Sequence, residues 1–477
     1  MIATLPDAQQ ARDGTHRRYS DSYKRLVTLL LMLAYTFNAA DRNLIAIVAQ
    51  SMKLDLRLSD TQLGLLGGTA FASLYALSGI PIARLAERLS RVRIIALSLA
   101  LWSMLTSLCA AAGSFAQLVT LRVGVGIAEA GCSAPAHSLI SDYYRRAERT
   151  GALSLYSCGL SLGYLLVSVV GGYVVLHQGW RAACLAVGLP GVAVALLIRA
   201  LIEEPERGLA DGQSAAGARA TPAGFSARGE ARELATVARA LFLSWPAANV
   251  IVGFTLSSFA SYGAWMFIPA YFNRRFGLDF ATVGLVLGLA GSVPVALGTL
   301  LGGMVTDRAA AHGERWYALV PAIGLAIATP LYLLALVASG WQAAAALLAA
   351  AGFFQYASLG PSFGVVQNVV GARRRATATA LRYLCLTVAL AAGPLFTGGM
   401  IDHLFAAACP GSGAGRCGAA LAQASRAGIV AALCFHAWAA VHYLLGAFGL
   451  GRQIQAAGDP ERPEARARAA RAQVSSR

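Results

Sequence analysis

Two sites of charge lie inside long apolar runs. Asp41-Arg42 falls in the run that starts near Leu26, and Arg122 and Glu129 stand seven residues apart in another. An unpaired charge at bilayer depth costs several kcal/mol, about 2.5–3.5 on insertion scales. Two acids and two bases on neighbouring helices offset that cost by pairing, and such groups mark a substrate or ion pathway. Positions 122, 126, 129 and 133 recur at helical spacing, which places Arg122, Gly126, Glu129 and Ser133 on one face of an unbroken helix. Glu129 then lies about 10 Å deeper than Arg122, near the bilayer midplane, at 1.5 Å rise per residue. By the same rise Asp41 and Arg42 lie roughly 25 Å up from Lys24. Adjacent residues point about 100° apart on a helix, so they face different partners. Asp41 is expected to pair with Arg122, and Arg42 to reach toward Glu129.

The chemistry suited to this arrangement is proton transfer. Dry surroundings make any carboxylate hold a proton more tightly, and a neighbouring Arg loosens it. A change of water access or of distance to that Arg therefore loads or unloads the acid. Asp41 and Glu129 are the expected proton carriers, with the permanently charged Arg42 and Arg122 as modulators. The fork of Arg42 also suits a phosphate or carboxylate head group. The competing reading is a salt-bridge cluster that only orients helices.

The elements that must position these groups follow from composition. The 477 residues are 57% hydrophobic and 13% charged, whereas soluble domains carry about 25% charged residues. We read twelve spans, at about 25–48, 61–82, 94–113, 118–140, 151–176, 182–201, 243–272, 281–305, 317–338, 342–368, 376–402 and 426–450. The expected organisation is a cytoplasmic tail (1–23), a six-helix bundle (24–202), a cytoplasmic linker (203–240), a second six-helix bundle (241–451) and a cytoplasmic tail (452–477). The linker carries Pro205, Gly208, Gly212, Gly217, Pro222 and Gly224, with a short amphipathic helix expected near Glu230–Arg239. The last tail reads as a surface helix or as disordered chain. The first 23 residues are polar, with Arg12, Arg17 and Arg18, so the first span is expected to serve as its own insertion signal.

The net charge of +16 would suggest nucleic acid on a soluble protein. Here most Lys and Arg fall in the tails, the linker and the loops on one side. That places both termini in the cytoplasm and turns the basic surface toward anionic lipid rather than nucleic acid. Of eight cysteines, six fall within spans as small packing residues. Cys409 and Cys417 share the loop before the last span, where a disulfide and two free thiols are both open readings. No Cys/His spacing suggests a metal site. No nucleophile–base or metal cluster suggests an enzyme, and no cofactor is expected.

The two halves carry an internal repeat. Gly64, Leu65 and Gly68 match Gly284, Leu285 and Gly288, and the loop Ala83 to Arg88 matches Gly303 to Arg308 at the same offset. The run Ala83-Arg-Leu-Ala-Glu87-Arg88-Leu-Ser-Arg91 resembles the loop signature of the major facilitator superfamily, with Ala83 for the usual Gly and Glu87 for the usual Asp. Asp41-Arg42-Asn43, Arg122-x-x-x-Gly126-x-x-Glu129-Ala130, Trp180-Arg181 and Glu203-Glu-Pro-Glu-Arg-Gly208 are similar to the spinster family within it. The resemblance implies an all-α membrane protein of twelve transmembrane helices in two pseudo-symmetric six-helix bundles. It also implies a cytoplasmic gate: Glu87 and Asp307 docked against helix starts of the opposite half, completed by Arg88, Arg91 and Arg308.

Further polar residues are placed as cavity walls. Ser133, Tyr156, Tyr164, Tyr262, Trp265 and Arg382 join Arg42 and Glu129 as expected substrate contacts. Gln355, Tyr356 and Ser358 are offered by the tenth span, while His436 reads as core or interface packing. The deep charges all lie in the first half, so a polar wall opposes a mainly apolar one, which suits an amphiphile. The expected function is proton-coupled transport of a lysolipid or sphingolipid-like substrate across the inner membrane by a monomer, as the spinster resemblance implies. The alternative is a proton-driven drug or organic-anion transporter on the same scaffold.

Overall fold

The computed structural model describes residues 19–144, 146–206, 234–370, 375–409 and 417–458. Most of the linker, the outer parts of both tails and Arg373 and Arg374 lie outside them. Every regular element among the described residues is helical. Nine helical stretches there are long and apolar enough to cross a membrane. One of them, Leu155–Leu201, is broken at Gly179 (φ 83°) and holds two spans. The first span, Asp21–Leu56, and the second, Asp60–Arg88 with a π turn at Leu65–Thr69, complete twelve.

Local chemistry sets the helix ends. Ser20 caps the first span by accepting from the Tyr23 N–H, and the span stops where Arg57 turns left-handed at φ 52°. Ser59 and Gln62 form a reciprocal capping box that starts the second. The linker enters the seventh span, Trp245–Phe276, through the apolar helix Leu234–Leu243. After the twelfth, Gly418–Ala447, the chain forms one more helix, Leu450–Gly458. Its Leu450 and Ile454 pack with Val237 and Leu241, and Gln453 donates to the Ala240 carbonyl. This tail segment is thus held against the protein by its apolar residues. Cys409 and Cys417 are disulfide-bonded.

The fourth span departs from the unbroken helix expected. It consists of Phe115–Glu129 and Ser133–Tyr143, separated by a turn at Ala130–Cys132. Two tightened bonds, Gly131 N–H to Ala128 O and Cys132 N–H to Glu129 O, replace the α-helical pattern. The Ser98 hydroxyl occupies the place where a Cβ on Gly131 would stand, so a side chain there would require Ser98 to move. Ser133 therefore does not share a continuous helical face with Glu129. The tenth span is interrupted in the same way, between Trp341–Tyr356 and Leu359–Asn368.

The helices group into two compact units. Unit 1 comprises Met1–Phe225, Trp265–Ser292 and Pro394–Ser425, and unit 2 comprises Ser226–Ala264, Val293–Gly393 and Arg426–Arg477. Compactness thus does not divide at the linker: unit 1 takes in the ends of later spans. The repeated glycines explain part of this. A side chain at Gly64 would collide with the Pro394 carbonyl, and one at Gly284 with the Ser168 carbonyl. Both positions are close backbone approaches within unit 1.

Candidate functional site

The first and fourth spans bring the two charge sites together. Arg122 Nη1 donates to Asp41 Oδ2 at 2.9 Å, and Thr106 of the third span donates to the other Asp41 oxygen. Arg42 Nε donates to Glu129 Oε2 at 2.8 Å. Asp41, Arg122 and Glu129 are each 0–1% exposed. The pairing is the one that helix rotation by about 100° per residue favours, with Asp41 and Arg42 turned to different partners.

Aromatic faces complete the cation contacts. The Arg42 guanidinium lies 4.7 Å from the Tyr75 ring centre and 5.3 Å from that of Phe71, and Arg122 lies 5.5 Å from Phe71. The second span reaches this depth because Gly126 has no side chain: a Cβ there would meet the Phe71 carbonyl. Thr106, Phe71 and Tyr75 carry no charge and no spacing signal, so sequence reading missed them.

Several polar atoms of the site have no hydrogen-bond partner among the described residues. They are both amide atoms of Asn38, Arg42 Nη2, Arg122 Nε and Nη2, and Glu129 Oε1. Asn38 is 0% exposed and lies one turn before Arg42 on the same helix face. An orphaned polar group in an apolar interior costs about 1–3 kcal/mol. These donors and acceptors belong to the first and fourth spans, the same helices that carry the two ion pairs.

Other expected contacts distribute over both units. Tyr156 is buried, stacked on Tyr35 at 4.7 Å and beside Ser133. Tyr164 and Trp265 meet edge-to-face at 6.0 Å within unit 1. Tyr262 and Arg382 belong to unit 2. Arg382 is buried with its guanidinium 3.7 Å from the Phe254 ring centre.

Unit 2 has its own polar interior. Tyr332 donates to Gln355, Gln355 donates to Ser261, and Ser261 donates to the Ser257 carbonyl at 2.7 Å. His436 Nε2 lies 3.3 Å from the same Ser261 oxygen. Either atom can be the donor of that contact, according to the tautomer of the ring. Tyr332 stacks on the imidazole at 5.5 Å. His436 is thus part of a buried neutral network.

The expected gate residues separate. Arg91 is buried within unit 1 and does not dock on a later span. It donates to Glu204 at 2.7 Å, to Ser138 at 2.8 Å, to the Pro205 carbonyl at 3.1 Å and to Asp142. Glu204 also accepts from Ser90 and the Val92 N–H. Arg91 therefore ties the loop before the third span to the end of the fourth and the start of the linker. Burial alone would raise the Glu204 carboxyl; the Val92 N–H, Arg91 and Ser90 outweigh it and hold it below the usual carboxylate range. The Arg91–Glu204 contact joins residues 113 positions apart, which no sequence spacing signals. Arg308 is exposed. The side chains of Glu87, Arg88 and Asp307 lie outside the described residues. Trp180 and Arg181 both reach Asp55 at the far end of the first span, with Trp180 Nε1 at 3.0 Å.

Known proteins resemble the chain over most of its length. The Major Facilitator Superfamily profile matches residues 31–394 and 250–451. An MFS-type efflux pump of Mycolicibacterium smegmatis is 30% identical over 377 residues, 79% of this chain and 84% of the relative. A cis,cis-muconate transport protein of Acinetobacter baylyi is 25% identical over 327 residues, 68% of this chain and 74% of the relative. A solved bacterial homologue of the human lysosomal transporter Spinster, inward-facing and unoccupied, aligns with TM-score 0.81 at 30% identity. That alignment covers 91% of this chain and 99% of the homologue.

Proposed function

The chain belongs to the major facilitator superfamily, and from that premise we propose that it is a proton-coupled secondary transporter of an amphiphilic lysolipid or sphingolipid-like substrate. It works by alternating access in the inner membrane, as a monomer with both termini cytoplasmic. The observation that carries this reading is the pair of ion pairs Asp41–Arg122 and Glu129–Arg42, with both acids and Arg122 buried and Arg42 partly exposed, and with unpartnered polar atoms on Arg42, Glu129 and Asn38.

Each acid can hold either an Arg or a proton, but not both equally well. When Glu129 takes a proton, its hold on Arg42 weakens and the guanidinium is free to bind an anionic head group. When Glu129 releases the proton, Arg42 returns and the head group is displaced. Asp41 and Arg122 repeat the exchange one helix position away, with Thr106 keeping the carboxylate oriented. In this scheme the proton on Glu129 favours binding of the head group and its release favours displacement, so proton and substrate are coupled through the same pair of charges. Tyr156, Tyr164, Trp265, Tyr262 and Arg382 would line the substrate path with Ser133. Glu87, Arg88, Asp307 and Arg308 remain the proposed cytoplasmic gate, with Arg91 as an anchor beside it.

The similarity to a Spinster homologue supports the lipid substrate. Efflux and cis,cis-muconate relatives support a second reading, a drug or organic-anion transporter on the same scaffold. Proteoliposomes loaded with labelled lysolipids, drugs or dicarboxylates, under an imposed pH gradient, separate the two. Lysolipid flux that follows the gradient is the expected result. Dicarboxylate or drug flux with no lysolipid movement overturns the lipid assignment.

A further inference from the structure

Unit 2 holds two helices too short to span a bilayer: Leu234–Leu243, by which the linker enters, and the tail helix Leu450–Gly458. Gly449, at φ 85°, turns the chain from the twelfth span into the tail helix. Leu450 and Ile454, four residues apart, are 0% and 9% exposed, while Arg452 between them is exposed. The two apolar residues share one buried cluster with Val237 and Leu241 of the linker helix. The same cluster contains Val365, Val366, Val369 and Val370, at the end of the tenth span. Gln453 donates to the Ala240 carbonyl at 3.1 Å. At the start of the tail helix, a Cβ on Gly451 would lie 3.9 Å from the Cβ of Glu314, in the turn before the ninth span. All these residues lie in unit 2.

The tail and linker helices thus pack against the second rod of an interrupted span. That rod, Leu359–Asn368, is 10 residues long. An isolated helix needs about 12–15 residues, so this one depends on its neighbours. The break at Ala357–Ser358 separates it from the first rod, Trp341–Tyr356. The first rod is fixed independently, through the bonds of Gln355 to Tyr332 and Ser261. The second rod can therefore pivot at the break only by sliding its valines across the cluster that the tail and linker helices complete. Close-packed apolar surfaces forfeit much of their contact energy when they separate by a fraction of an ångström. The docked tail helix consequently adds to the barrier against that motion.

We propose that the tail helix is an autoinhibitory brace. Docked on the linker helix, it holds the second rod of the tenth span and slows the transport cycle; displaced, it lets that rod pivot. The brace governs the rate of the cycle and not the cargo, so it stands or falls apart from the lipid assignment.

Two perturbations of opposite sign test it on the full-length protein in nanodiscs. Gly451→Cys with Glu314→Cys sets two Cβ atoms at 3.9 Å, a separation suited to a disulfide. Oxidised, this variant should exchange the Val365 and Val366 amides about tenfold more slowly than after reduction. Wild-type protein given the same reductant controls for the native Cys409–Cys417 bond. Ile454→Gln should speed the same two amides about tenfold and leave the Leu348 amide of the first rod unchanged. In proteoliposomes, flux of a labelled lysolipid should rise about threefold in Ile454→Gln and fall by as much in the cross-linked protein, with the pH profile unmoved. Equal exchange in the two redox forms overturns the brace, and so does flux that falls in Ile454→Gln. A rise that extends equally to Leu348 marks general loosening and overturns it too. If wild-type protein moves no lysolipid, the lipid assignment fails and the exchange comparison alone decides the brace.

Discussion

The interiors of the two units handle burial differently. Among the described residues, the fully buried acids Asp41, Asp60 and Glu129 all lie in unit 1. Unit 2 instead buries Tyr332, Gln355, Ser261 and His436, a chain with no acid in it. Both interiors sit beside an interrupted span, the fourth in one case and the tenth in the other. The shared architecture is therefore a helix broken at bilayer depth, and the chemistry placed at the break differs. The first break carries buried acids and bases. The neutral network at the second fixes shape without a counter-charge for an added proton.

The sharpest way to break this comparison is to neutralise each side in turn. Glu129→Gln should abolish pH-driven flux, and Asp41→Asn should do the same, whereas His436→Gln should leave the pH profile of transport in place. If His436→Gln shifted that profile as far as Glu129→Gln, the two interiors would be equivalent and the contrast lost. Next in size is stability. Asp41→Asn leaves Arg122 buried and uncompensated, which costs about 3–5 kcal/mol. The double variant Asp41→Asn with Arg122→Gln should recover most of that in thermal unfolding while remaining uncoupled. Within unit 2, Gln355→Leu should cost about 1–3 kcal/mol, because it removes two buried hydrogen bonds, those with Tyr332 and Ser261.

The smallest effect concerns the linker anchor. Glu204 has a folded-state affinity for protons below that of the free side chain. Its contribution is full above the unfolded value of about 4.3 and is lost as pH falls through the lower folded value. Limited proteolysis of the linker should accelerate only in that acidic window, and Glu204→Gln should remove the step.

Much of this was legible from residue types. Apolar runs gave the spans, and the acids and bases inside them marked the site. Helix geometry turns Asp41 and Arg42 to different partners, but which acid meets which Arg depends on helix rotation, and the structure pairs Asp41 with Arg122 and Arg42 with Glu129. The turn at Ala130–Cys132 was not legible, because it depends on Ser98 standing where a Gly131 side chain would be. Asn38 resembles any polar residue until its empty surroundings are known. Arg91 carried a family motif, yet its partners are Asp142 and Glu204, and no periodicity links them. Asp402 and Asp60 are separated by 342 positions and joined through backbone donors, which leave no trace in side-chain pattern.

The interruption after Glu129 gives the fourth span a joint. A continuous helix bends only by stretching its bonds, but two short rods meeting at a glycine can pivot with little loss. The outer rod is held by Leu105 against Gly124, and the joint itself by Ser98. A swing of the inner rod, Ser133–Tyr143, would carry Asp142 and the Arg91 anchor with it while the carboxylate at the pivot stayed in place. Motion at the linker end and the ion pairs beside the joint are in this way mechanically separable, and a chain built so can change its outline without disturbing its buried charges.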